Sequence, residues 1–168
     1  MALNRYSLTD YVLSVKVPDE LREVFLTVRD TIDSASNVIS IGGDGSFVGS
    51  ITVETPNAQW TTEGDATGSW VHNKSKNQVG TISVSINQIS DKVLLLERLY
   101  TTYYGADTVT EGLTLTLSKA TGSGNQQPVC TGTDCYLASR PNFEAGSTAA
   151  NRSWSFTCGR ITYSGSIL

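Results

Sequence analysis

Several groupings in this chain of 168 residues carry side chains that chemistry uses. Gly42-Gly43-Asp44-Gly45-Ser46 has the glycine density of a phosphate cradle. Such a loop opens a helix and follows its glycines with Lys and then Ser or Thr. Here no lysine follows and an alternating apolar run does, so the segment reads as a tight turn feeding a strand. Its single carboxylate, Asp44, is too few for a calcium loop. Glu63 and Asp65 are the next pair. A glycosidase needs two carboxylates on opposite sides of a sugar, one with its pKa raised by burial. Two acids two residues apart in a glycine-bearing polar loop read as solvated instead. His72, the one histidine, has no Ser or Cys nucleophile in a recognisable elbow, so no triad can be assembled.

Cys130 and Cys135 have a spacing that allows either a hairpin disulfide or two metal ligands. Three cysteines with His72 far away do not form a zinc pattern, and a chain made in the cytosol keeps its thiols reduced. Cys130, Cys135 and Cys158 therefore read as inert thiols. No catalytic residue, cofactor or metal site is expected, and the chain is not expected to be an enzyme. The three tryptophans remain. Trp154 is in phase with Phe156 and reads as core. Trp60 and Trp70 flank a polar loop; they read first as anchors for a neighbouring subunit and second as a platform for sugar stacking.

The bulk composition narrows the partners. Lys and Arg number 12 against 16 Asp and Glu, a formal net charge of −4. A nucleic-acid binder normally carries a basic face, so binding is disfavoured, whereas passage of nucleic acid past the chain is not. Ser and Thr together number 41 and exceed the 28 charged residues, so solubility rests on hydroxyls, as in proteins built of half-buried strands. No apolar stretch is long enough to span a bilayer, and the N-terminus lacks the features of a secretion signal. The length fits one domain, taken as residues 1–168.

The elements that would position these residues are mostly strands. Tyr11, Leu13, Val15 and Val17 alternate with polar positions, as do Phe47, Gly49, Ile51 and Val53, then Ile82, Val84 and Ile86, then Leu113, Leu115 and Leu117. Successive side chains of a strand face opposite sides, so each run predicts a strand with one dry face. Near the C-terminus Trp154, Phe156 and Cys158 share one parity while Ile161, Tyr163 and Ile167 share the other. A bulge or bend at Gly159-Arg160 would return both halves to one core; the pattern continues to Leu168. One helix is predicted over about 91–104, capped by Ser90 or Asp91 and stopped by Gly105, with Val93, Leu96, Leu99, Tyr100 and Tyr103 on one stripe. Asp19–Ile32 fits either period, and its β-branched content favours a strand pairing back onto Tyr11–Val17. Residues 55–77 and 120–128 read as long loops.

From Gly45 to Tyr104 the chain resembles the bacteriophage tail tube family. The likeness lies in Gly-Ser-Phe-Val-Gly-Ser-Ile-Thr-Val-Glu at 45–54, then Trp-Thr-Thr-Glu-Gly-Asp-Ala-Thr-Gly-Ser at 60–69. It continues through Asn-Lys-Ser-Lys-Asn at 73–77 and Gly-Thr-Ile-Ser-Val-Ser-Ile at 80–86, up to the helix led by Ser90-Asp91. An alternating C-terminal strand after an irregular segment also matches. The resemblance implies two antiparallel sheets forming a small barrel or sandwich with one packed helix. It implies six-membered rings stacked into a tube for DNA ejection, neighbours in a sheath and a baseplate, a contractile tail, and a place in the virion after assembly in the host cytoplasm. On this reading Trp60, Glu63, Asp65, Trp70, Lys74 and Lys76 are the candidate interface residues. Residues 1–36 and 122–134 match the family least. A baseplate or tail-terminator component is the second structural expectation, and a carbohydrate-binding β-sandwich the third.

Overall fold

In the computed structural model residues 6–19, 37–43, 47–105, 111–120 and 126–164 are described. A short 3-10 turn at Leu8–Asp10 leads into β1 (Tyr11–Lys16). Then come β2 (Val38–Gly42), β3 (Val48–Glu54), β4 (Trp60–Gly64), β5 (Trp70–Lys74) and β6 (Gly80–Asn87). Helix α1 (Asp91–Tyr104) follows, and β7 (Leu113–Ala120), β8 (Gln126–Leu137) and β9 (Asn151–Tyr163) complete the described elements.

The strands form two antiparallel sheets, one of seven strands in the order β2-β1-β7-β8-β9-β6-β3 and one made of β4 and β5 alone. Strict alternation does the sorting. Ile82, Val84 and Ile86 of β6 are fully buried, and Thr81, Ser83 and Ser85 between them are not. Seven strands laid flat would span roughly 29 Å, far wider than the ~10 Å that one helix covers. Nevertheless Leu13, Ile39, Ile82, Leu115 and Trp154, from five different strands, are all fully buried in one cluster with Leu95, Leu96 and Leu99 of α1. The large sheet therefore folds over on itself, and the helix closes what the curl leaves open. Among the described residues β2 and β3 do not pair with each other, so the sheet is a sandwich-like curl rather than a closed barrel.

The helix starts and stops where its capping residues stand. Ser90 is the N-cap and its hydroxyl accepts from the Lys92 N–H, while the Gly105 N–H returns to the Thr101 carbonyl. The inward stripe also includes Leu95, which the sequence pattern did not single out; Leu94 faces solvent.

Several expectations change. The strand that pairs back onto β1 is β2, a segment not read as a strand from the sequence, and β7 takes β1's other edge. Residues 20–36, where that partner was expected, lie outside the described residues, as do Asp44, Gly45, Ser46 and Ile167. Phe47 is exposed rather than inward, because the β3–β6 register shifts between Val48 and Ser50 and puts Val48 against the core. The loop expected at 55–77 contains the β4–β5 hairpin. From Gln126 onward the second expected loop is already strand β8.

The phase slip near Gly159 is real, since Cys158 and Ile161 are both buried, but Tyr163 is exposed. The extra residue sits in β8, where the register against β7 shifts between Gly132 and Cys135. Asp134 there adopts a left-handed φ of 53°. Neighbouring β9 keeps step with β8, so both strands reverse their facing together. Cys130 and Cys135 lie on one strand and cannot close a hairpin; Cys135 faces Cys158 on β9.

Candidate functional site

The β4–β5 hairpin holds most of the residues singled out from sequence. Its register sets Trp60 opposite Lys74, Thr62 opposite His72 and Gly64 opposite Trp70 on one face, with Thr61 opposite Asn73 and Glu63 opposite Val71 on the other. All ten strand residues are exposed. Trp60 at 57% and Trp70 at 69% are far more open than indoles in a completed fold. They share a face at opposite ends of the arm, and the Lys74 ammonium lies 5.4 Å from the Trp60 ring centre. Thr62 Oγ1 and His72 Nδ1 are hydrogen-bonded across the strands at 2.8 Å.

Asp65 builds the tip. Its Oδ1 accepts from the Thr67 N–H at 2.8 Å, the Thr67 hydroxyl at 2.7 Å and the Ser69 N–H at 3.0 Å. The Asp65 N–H in turn donates to the Ser69 carbonyl at 2.9 Å, and Gly68 supplies a φ of 88° that a side chain would resist. Those bonds, led by the Thr67 hydroxyl, hold the Asp65 carboxyl below its usual range. Asp65 and Glu63 therefore do different work, one folding the turn and the other projecting from a strand face. At the root, the Ser75 N–H donates to the Gln59 carbonyl at 2.7 Å. A cleft there of about 600 Å³ takes in Lys74, Lys76, Arg160 and Tyr163. Trp60, Trp70 and Lys74 are thus brought onto one face, Glu63 is on the other, and Asp65 and Lys76 mark tip and root.

A second surface was missed. Between α1 and residues 138–149 runs a groove of about 600 Å³, lined by Leu94, Glu97, Arg98, Arg140, Phe143 and Arg152 among others. Arg152, 4% exposed, pairs with Glu97, which also pairs with Arg140 at 2.9 Å. Leu94 and Phe143 stand open at 54% and 68%. The sequence held one signal: Arg152 is in phase with Trp154, Phe156 and Cys158, and an arginine on a core-facing parity demands a buried partner.

Among the described residues no three His, Cys, Asp or Glu side chains are placed to hold a metal ion. The three thiols are free and buried. Burial pushes the Cys130 thiol up, and the bond that Cys135 gives to Cys158, with burial, pushes Cys135 up as well. Among the described residues no helix is long and apolar enough to cross a membrane.

Comparison with known proteins places this fold in a class. No family model matches the sequence, and no curated protein matches it. Among solved structures, the chain superposes on the tube-terminating cap of the anti-feeding prophage with a TM-score of 0.57 at 14% identity, covering 96% of this chain and 92% of that one. The sheath/tube terminator of PVC, an extracellular contractile injection system, in its extended state gives 0.59 at 13% identity, covering 98% and 100%. A chain of the PVC sheath–tube complex in the extended state gives 0.53 at 14%, covering 94% and 90%. At these identities the likeness is one of fold, and it spans nearly the full length of each.

Proposed function

We propose that residues 1–168 form a single tail-tube-like domain that serves as a structural subunit of the tube of a contractile tail-like particle. Copies join edge to edge into rings, six to a ring, and the rings stack. The observation that carries this reading is the β4–β5 arm, whose ten strand residues, two of them tryptophan, are exposed. A monomer gains nothing from holding indoles in water, whereas a neighbouring copy that covers them gains interface anchors.

The sheet edges agree. Among the described residues no strand covers the outer edge of β2 or of β3. Val38–Gly42 has no charge and Val48–Glu54 has one, at its last position. Solitary sheets guard such edges with Lys, Pro or bulges, and among the described residues the β3 bulge is the single such device on these two strands. Pairing in a closed ring satisfies the edge donors and acceptors, and heterologous stacking then extends the ring into a tube. A subunit of net charge −4 would line or surround a lumen without gripping phosphates, so duplex DNA could pass during ejection. In this reading the chain works by assembly rather than catalysis, with sheath and baseplate proteins as its further partners and the phage tail as its location.

A terminator that caps the last ring is the second reading, favoured because two of the similar structures are a tube-terminating cap and a sheath/tube terminator. Negative-stain microscopy of the purified chain separates the two. Long hollow tubes are expected for a tube subunit, and single rings that never stack would select the terminator. Monomers at high concentration would overturn both.

A further inference from the structure

The arm and the groove lie at opposite ends of the same strand. The arm's root shares its cleft with Arg160, whose Nε donates to Gln78 at 2.8 Å, whereas the groove is built around Arg152. Those two positions on β9 are about 27 Å apart at ~3.4 Å per residue. From Trp60 to its tip the arm reaches roughly 20 Å, and its exposed strand residues show that it does not lie back along the sheet. The arm therefore does not fill the groove of its own chain.

The two surfaces match in chemistry. From Thr61 to Val71 the arm has two carboxylates, Glu63 and Asp65, and no lysine or arginine. The groove has three arginines, Arg98, Arg140 and Arg152, against one carboxylate, Glu97. Apolar groups stand beside the charges on both sides. Glu63 pairs across the hairpin with Val71, which is 60% exposed. Leu94 and Arg98 are four apart on α1 and so share one face, with the Phe143 ring exposed nearby.

We infer that the groove between α1 and residues 138–149 receives the Glu63–Val71 face of the β4–β5 arm from a second copy of this chain. Glu63 meets Arg140 at the groove's open side, and Val71 packs on Leu94 and Phe143. Because donor and acceptor surfaces are different and lie at opposite ends of the molecule, the contact is heterologous and repeats from copy to copy. This rests on the proposal that the chain assembles, and it identifies where the arm goes.

The test is a charge-reversal cycle on the full chain, read by sedimentation velocity as the concentration for half-assembly. Glu63 is exposed; the Arg140 side chain is 61% exposed and its partner Glu97 keeps Arg152, so far-UV circular dichroism of both reversals is expected to match the parent and is measured first. Glu63→Arg and Arg140→Glu each raise the half-assembly concentration about tenfold, and the two together return it to within about threefold of the parent. As an independent readout, a chain carrying Val71→Cys and Leu94→Cys forms a ladder of intermolecular disulfides when treated with oxidised glutathione. An assembling protein whose double reversal is as impaired as the product of the singles, or whose paired cysteines give no ladder, overturns this contact while leaving the ring reading in place. A parent chain that never associates overturns both.

Discussion

Arg152 and Glu97 join β9 to α1 through a contact of 2.7 Å from Nη2 to Oε1. The same Nη2 donates to the Pro141 carbonyl at 3.0 Å, and the guanidinium lies 5.0 Å from the Trp154 ring centre and 5.8 Å from that of Phe143. One side chain thus fixes three parts of the molecule: the helix, the last strand and the irregular segment before it.

Glu97→Ala leaves a guanidinium that is 4% exposed without its carboxylate, and its Nε already has no hydrogen-bond partner among the described residues. Breaking such a buried pair from one side costs about 3 kcal/mol. Arg140→Ala removes only the exposed half of the network and costs less than about 1 kcal/mol. Urea unfolding of the two variants checks the ranking; equal midpoints would show that Arg152 finds another acceptor.

Trp60→Ala and Trp70→Ala should reduce assembly without lowering the monomer's unfolding midpoint by more than about 0.5 kcal/mol, the range of exposed substitutions. Both indoles stand outside the buried cluster that holds Trp154. Tube yield by microscopy and urea midpoints of the same preparations check this. A fall in the midpoint of 2 kcal/mol or so would make the indoles core residues, since that is the scale of losing buried aromatic packing.

How much of this was legible in the sequence follows from what each residue had to satisfy. Alternation in Leu13–Val17, Ile82–Ile86 and Leu113–Leu117 was readable because those strands are buried on one face only, and the helix announced itself through Ser90 and Gly105. β2 was hidden because four of its five residues are apolar or glycine, and adjacent Val38 and Ile39 break the alternation. The hairpin was hidden for the opposite reason: its exposed strands bury neither face, so no apolar rhythm marks them. Trp60 and Trp70 were read as surface anchors because they bracket polar residues, and both indoles are exposed. The groove joins positions from 94 to 152, and no local pattern reports a juxtaposition so distant in the chain.

Gly80 should tolerate no side chain. A Cβ there would lie 2.3 Å from the Glu54 carbonyl oxygen and 2.5 Å from Ile161 Cδ1, so Gly80→Ala must push β6 away from β3 or displace the core. Overpacking of this kind costs about 3 kcal/mol. The companion Gly64→Ala meets nothing nearer than 3.8 Å and should leave the thermal midpoint unchanged. Similar melting of the two variants would mean that β3 and β6 are not closely paired at that end.

The tip of the arm should respond to acid through Asp65. Its carboxyl is held below the ordinary value by the Thr67 hydroxyl first, then by the Ser69 and Thr67 backbone N–H groups. A group whose folded pKa is depressed stabilises the turn fully above its ordinary value of about 3.9, and that contribution fades as pH falls through the lower folded value. The Thr67 and Ser69 amide shifts should therefore titrate in NMR with a midpoint below about 3.9. Asp65→Asn keeps an acceptor oxygen but carries no charge, so it should remove the step and weaken the tip at every pH. A midpoint at or above the ordinary value would show that the Asp65 bonds do not order the tip, and the arm would then reach a neighbouring copy without a preformed end.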